Sequence, residues 1–141
     1  MTEQERQDYL LQLDEELLVG GVVLSEWCSQ IVREADTAFV HGAHLASILT
    51  AVAGIETYLR SEFEGSRKRL FLLIDEAPIP EDLRAQLHEL RRYRNRWVHV
   101  EDPWNDQPLI ERPEQVAGEL EEKARLAARI LRETIYSDQW L

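Results

Sequence analysis

"HGAHLASILTAVAGIETYLRSEF", residues 41–63, carries apolar side chains at Leu45, Ile48, Leu49, Val52, Ile55, Leu59 and Phe63. Steps of three and four put them on one broad stripe of an α-helix, and no strand-like alternation competes. Gly65 is a suitable stop. Upstream, leucines at 10, 11, 13, 17 and 18 lie among Glu and Asp until the Gly20-Gly21 pair bends or ends the segment. The next stretch, Val22 to Val40, repeats the helical period at positions 23, 24, 27, 31, 35 and 39. Downstream, "RLFLLIDEA" (69–77) reads as a helical turn or a brief strand, closed by Pro78 and Pro80. A helix starting at Glu81-Asp82 then runs Leu83, Leu87, Leu90, Arg94, Trp97 along its stripe. "EDPWNDQP" (101–108) is a turn-rich loop. After Pro113 a last helix carries Val116, Leu120, Ala124, Ala127, Ala128, Leu131 and Ile135. The expectation is an all-α bundle of four to five helices, forming one domain over residues 1–141.

Length and composition fit that expectation. A chain of 141 residues can bury a real core but not two comfortable ones, and 44% apolar with 30% charged residues is ordinary globular usage. The formal net charge of −11 repels polyanions at long range, which disfavours a protein that coats nucleic acid or an anionic membrane nonspecifically but leaves room for a small local site. Cys28 is the only cysteine, so no internal disulfide framework exists and a reducing compartment, the cytoplasm, is expected. No apolar run approaches the roughly 20 residues that span a bilayer, and no membrane association is expected.

Two residues break the pattern where leucine belongs. The line 45, 49, 52, 56, 59, 63 passes through Glu56, and the line 83, 87, 90, 94 passes through Arg94. Either ion alone is costly to bury, whereas a guanidinium and a carboxylate pair well. Such a pair either ties two core helices together or positions Arg94 for a ligand. "RRYRNRWVH" (91–99) adds to the second reading. Residues 84–100 hold five arginines against one glutamate, a local charge of +4 in an acidic chain. His99 closes the stretch with a side chain able to exchange protons near neutral pH, and an arginine nearby can hold a phosphate or an anionic transition state.

Arg94, Asn95 and His99 in "RNRWVH", at the end of the third main helix and preceded by a long helix with Glu56, resemble the R-x-x-x-x-H motif of the HEPN domain family. The resemblance implies an all-α, homodimeric, metal-independent endoribonuclease whose two motifs meet across one cleft. On this chain it implies that His99 assists proton transfer, Arg94 holds the scissile phosphate, Asn95 orients His99 or the phosphate, and Glu56 supports Arg94. Arg91, Arg92, Arg96 and Trp97 would contact the RNA, and no cofactor or metal is expected. The products would be a 2',3'-cyclic phosphate and a 5'-hydroxyl. The family also includes toxins and antiviral effectors, so an antitoxin or regulatory protein is a candidate partner. A catalytically silent HEPN-like interaction module, or an accessory subunit, is the alternative. In some toxin members a tyrosine follows the histidine by two residues; here that position is Glu101. Arg92 stands at a longer spacing from His99, off the apolar stripe.

Other groups carry weaker signals. His41 and His44 have a metal-compatible i, i+3 spacing with nothing nearby to complete a ligand set. Cys28 on an apolar helix face reads as packing. Arg67, Lys68 and Arg69 read as a solvated run that could extend an RNA groove. Trp97 and Trp104 flank His99, and either could stack on a base, although Trp97 also completes the core stripe.

Overall fold

The computed structural model describes residues 1–63 and 67–141. Among these residues the chain forms seven helices: α1 (Glu3–Leu17), α2 (Glu26–Val40), α3 (His44–Glu62), α4 (Leu70–Glu76), α5 (Glu81–Val98), α6 (Gln107–Glu111) and α7 (Pro113–Ile135). The all-α expectation holds and the count of four to five does not. The five long helices were anticipated. The two extra ones are a seven-residue α4, which resolves the ambiguous 69–77 stretch as helix, and a five-residue α6 inside what reads as loop. Both are too short to show a full apolar period. The expected stop at Gly65 lies outside the described residues.

α3 sits at the centre, packed on α2, α7, α4 and α5. Ile48, Val52, Ile55 and Leu59 of its stripe are fully buried, joined by Ala51 and Tyr58. Leu45, Leu49 and Phe63 are half-buried along its margins. Gly54 lets α2 and α7 press close, since a Cβ there would lie 3.2 Å from the Leu131 side chain and 3.5 Å from that of Ile31. In α2 Ala35 and Phe39 of the expected stripe are buried, whereas in the first turn Cys28 is buried in place of Trp27, which is 79% exposed. The Ser25 hydroxyl caps this helix by accepting from the Cys28 N–H at 3.2 Å, and the small Cys28 side chain fits against the Gly54 carbonyl.

Local chemistry fixes the ends. Thr2 and Glu5 form a reciprocal capping box at α1, Pro113 opens α7 at a position where its missing N–H costs nothing, and Glu81 and Asp82 sit in the first turn of α5. The α2–α3 turn passes through Gly42 at φ +78°, the left-handed region that glycine enters without penalty. Against it lies the buried Arg6, whose Nε donates to the Val40 carbonyl at 2.8 Å and whose guanidinium also bonds the Met1 carbonyl.

The first and last helices are tied by ions that the apolar pattern hides. Arg132 of α7 is only 3% exposed. It donates to Asp14 of α1 at 2.9 Å and, through two nitrogens, to Asp36 of α2 at 3.0 and 2.8 Å. Tyr136 donates its hydroxyl to the same Asp14 at 2.7 Å. Burial, and then the bond to Asp14, push the Tyr136 phenol well above its ordinary value. Beyond α7, Gln139 clasps the α1–α2 connection: its Oε1 accepts from the Val19 and Gly20 N–H groups and its Nε2 donates to the Leu17 and Tyr136 carbonyls. Gly21 and Trp140 complete the closure with a two-bond antiparallel bridge, at 2.8 Å each way.

No described helix is long and apolar enough to cross a membrane.

Candidate functional site

α5 carries two different faces. Leu83, Leu87, Leu90 and Tyr93 are buried, and Trp97 packs partly buried against the same core. Arg92, Asn95, Arg96 and His99 follow one another at steps of three, one and three, which stacks them on a single side of the helix. That side forms one wall of an open groove of about 600 Å³, lined by Arg92, Asn95, Arg96, His99, Val100, Glu101 and Asn105. Both Arg92 and Arg96 line the groove, and among the described residues neither side chain has a hydrogen bond or an ion pair.

His99 is where α5 ends. Its backbone N–H closes the last turn on the Asn95 carbonyl at 2.9 Å, while its side chain is exposed. The helix C-terminus carries negative dipole character, which suits the Arg96 cation in the last turn. Arg96 is also braced from below, its guanidinium carbon 5.5 Å from the Tyr93 ring centroid, and Lys123 of α7 lies 5.4 Å from the same centroid. The Tyr93 hydroxyl is enclosed without a hydrogen-bond partner, and burial pushes its phenol up.

The remaining expected site residues are placed elsewhere. Arg94 is half-buried with an enclosed, unpartnered Nε, and five residues along a helix set it about 140° around the axis from His99. The expected Glu56–Arg94 pair does not form. Glu56 is instead paired with Arg60, one turn on in the same helix, at 3.5 Å, with its side chain 35% exposed. The i+4 neighbour is already in reach and needs no second element to be brought up. Arg60 is held for this by a bond to the Lys68 carbonyl at 2.8 Å. Glu56 therefore flanks its stripe and does not interrupt the core.

Arg91 is half-buried, with an enclosed and unpartnered Nε. Burial, with Arg92 and Arg94 nearby, holds its guanidinium below the usual arginine value, and Asp75 opposes that shift. In the same region His88 bonds Asp75 at 2.7 Å, and Arg84 caps the end of α4 by donating to the carbonyls of Ile74, Asp75, Ala77 and Ile79. This cluster fixes the α4–α5 turn and so the direction in which α5 projects. Trp97 is partly buried against the core and does not line the groove, leaving Trp104, five residues after His99 in sequence, as the exposed aromatic of this stretch.

Glu101 and Asn105 come into the groove from the loop after α5. The sequence signal for them was only their place in a turn-rich stretch next to His99. Other candidates are occupied with structure. Cys28 is fully buried, its thiol raised by burial. His41 pairs with Glu3 at 2.9 Å. Among the described residues no group of three His, Cys, Asp or Glu side chains is arranged to hold a metal ion.

Comparison with protein-family models, curated proteins and solved structures finds no match.

Proposed function

We propose that the chain is a metal-independent endoribonuclease of HEPN type, acting as a homodimer in which the ends of two α5 helices share one cleft. The observation that carries this reading is the groove itself: two unpaired arginines, an asparagine and an exposed histidine on one helix face of a protein with net charge −11. An anion is the ligand such a face recognises, and a histidine beside it supplies the proton chemistry.

In this scheme Arg92 and Arg96 hold the scissile phosphate and offset the charge that grows on its oxygens. The RNA 2'-oxygen attacks phosphorus while the bond from phosphorus to the 5'-oxygen breaks. One proton leaves the 2'-hydroxyl and one reaches the departing 5'-oxygen, with His99 of each copy serving one of these transfers. Asn95 orients the phosphate from the middle of the face. Arg94, on the other flank of α5, would serve the cleft from across the seam between copies. A role as toxin or antiviral effector, restrained by an antitoxin or regulator, belongs to the same proposal.

A second reading, a catalytically silent module that binds a partner, draws on a different observation. Val98, Val100, Leu109 and Ile110 are all exposed, and Val100 lines the groove. The two readings separate in one experiment: purified wild type and His99→Ala are incubated in EDTA with mixed single-stranded and structured RNA, and the fragment ends are analysed. Cleavage by wild type alone, leaving cyclic phosphate ends, is the expected result. Absence of cleavage by a folded wild-type dimer would favour the binding module.

A further inference from the structure

We infer that Trp104 is a stacking platform for an unpaired base of an RNA whose phosphate lies in the α5 groove; the inference rests on the groove being an RNA site. A lone exposed aromatic is unremarkable on a protein surface, so the argument comes from where this one stands. Trp104 is 88% exposed and directly precedes Asn105, a residue that lines the groove together with His99. Its loop is not a floppy one. The Asn105 N–H donates to the Asp102 carbonyl at 3.1 Å, and the Asp106 carbonyl accepts from Leu109 at 3.1 Å as α6 begins, so the indole is carried on a turn closed at both ends.

Charge then selects what the indole meets. Glu101, Asp102 and Asp106 surround it in sequence, while the free guanidinium groups of Arg92 and Arg96 lie on the helix side of the groove. A phosphodiester backbone is drawn to the arginines and repelled by the carboxylates. The neutral base is the part of a nucleotide that can approach Trp104, and every base offers a π-face to an indole. In a duplex those faces are already stacked, so the platform selects single strands. Trp97, the other aromatic of this stretch, packs partly buried against the core and does not line the groove.

The test is direct binding of a fluorescein-labelled single-stranded RNA decamer of mixed sequence and of the matching RNA duplex, using intact protein under non-cleaving His99→Ala conditions. Trp104→Ala is expected to weaken the single strand about tenfold and to leave the duplex within twofold, with Trp104→Phe recovering most of the loss. The dependence on salt should be unchanged, because no phosphate contact is removed. The Arg92→Ala/Arg96→Ala double variant serves as the control for the groove. If that control weakens binding and Trp104→Ala does not, stacking is overturned while the RNA groove stands. Equal weakening of single strand and duplex by Trp104→Ala also overturns it. Should the parent protein bind neither RNA, the inference and the RNA reading fall together.

Discussion

Arg132 is the residue whose loss should cost most for its size. Its guanidinium is buried, bonded to two carboxylates on two other helices, and its removal leaves Asp14 and Asp36 facing each other. Arg132→Met is expected to destabilise the fold by about 3 kcal/mol, the lower end for a broken buried pair because both aspartates keep some solvent, and a shift in urea midpoint would measure it. His44 gives a test in pH. Burial holds its imidazole below the ordinary 6.5, with Arg6 and the N-terminal ammonium adding to that and Glu121 opposing it. The unfolded chain therefore takes up its proton first as pH falls. The contribution of His44 to stability is complete above about pH 6.5 and is lost below that as pH drops toward the lower folded value. Thermal melts of wild type should fall through this interval more steeply than those of His44→Gln. Arg132 does not announce itself in the sequence: it occupies a position one step from Leu131, and only the folded arrangement brings two aspartates from far upstream against it.

Among the elements, α5 shows both what a pattern reveals and what it conceals. The leucines at 83, 87 and 90 mark its buried face, and the arginine excess marks its end as the place where positive charge gathers. The choice between Arg92 and Arg94 was not legible in the same way. Arg94 continues the apolar stripe, which makes it conspicuous as a pattern break and at the same time directs it away from His99. Arg92 looks unremarkable because it is off the stripe, and for that reason it stands in the groove. Arg92→Ala should therefore weaken RNA binding without lowering the melting temperature, whereas Arg94→Ala should cost about 1 kcal/mol of stability through lost packing of its half-buried stem. Paired melts and RNA titrations check both. If only Arg94→Ala abolishes cleavage in a folded protein, the shorter spacing carries the chemistry across the dimer seam. In α2 the expected stripe holds at Ala35 and Phe39 and differs in the first turn, where Cys28 is buried and Trp27 exposed: adjacent apolar residues at a helix start leave the sequence pattern unable to choose between them. The Glu56–Arg94 pair was unreadable for a different reason, since sequence spacing cannot tell whether a carboxylate will turn to its own helix or to the next.

Across the whole molecule the charge is lopsided, with a small basic groove in an acidic body. RNA binding should depend on salt only weakly, with log K falling against log salt at a slope of about −1.4 per groove if Arg92 and Arg96 are its only phosphate contacts, measured between about 50 and 200 mM. A slope several times steeper would mean that the strand follows a much longer basic track. The other molecular feature is the closure between the two ends. Tyr9 bonds the Arg125 carbonyl, Asp14 bonds Arg132 and Tyr136, and Gln139 reaches back to the residues after α1, each spanning more than a hundred positions. Helical proteins usually fold quickly because their contacts are local. Here α1 is made well before α7, one of the two helices that pack on it, so until α7 has emerged from the ribosome its leucines at 10 and 13 have no complete surface to cover them, and that interval is when a chaperone would have something to hold.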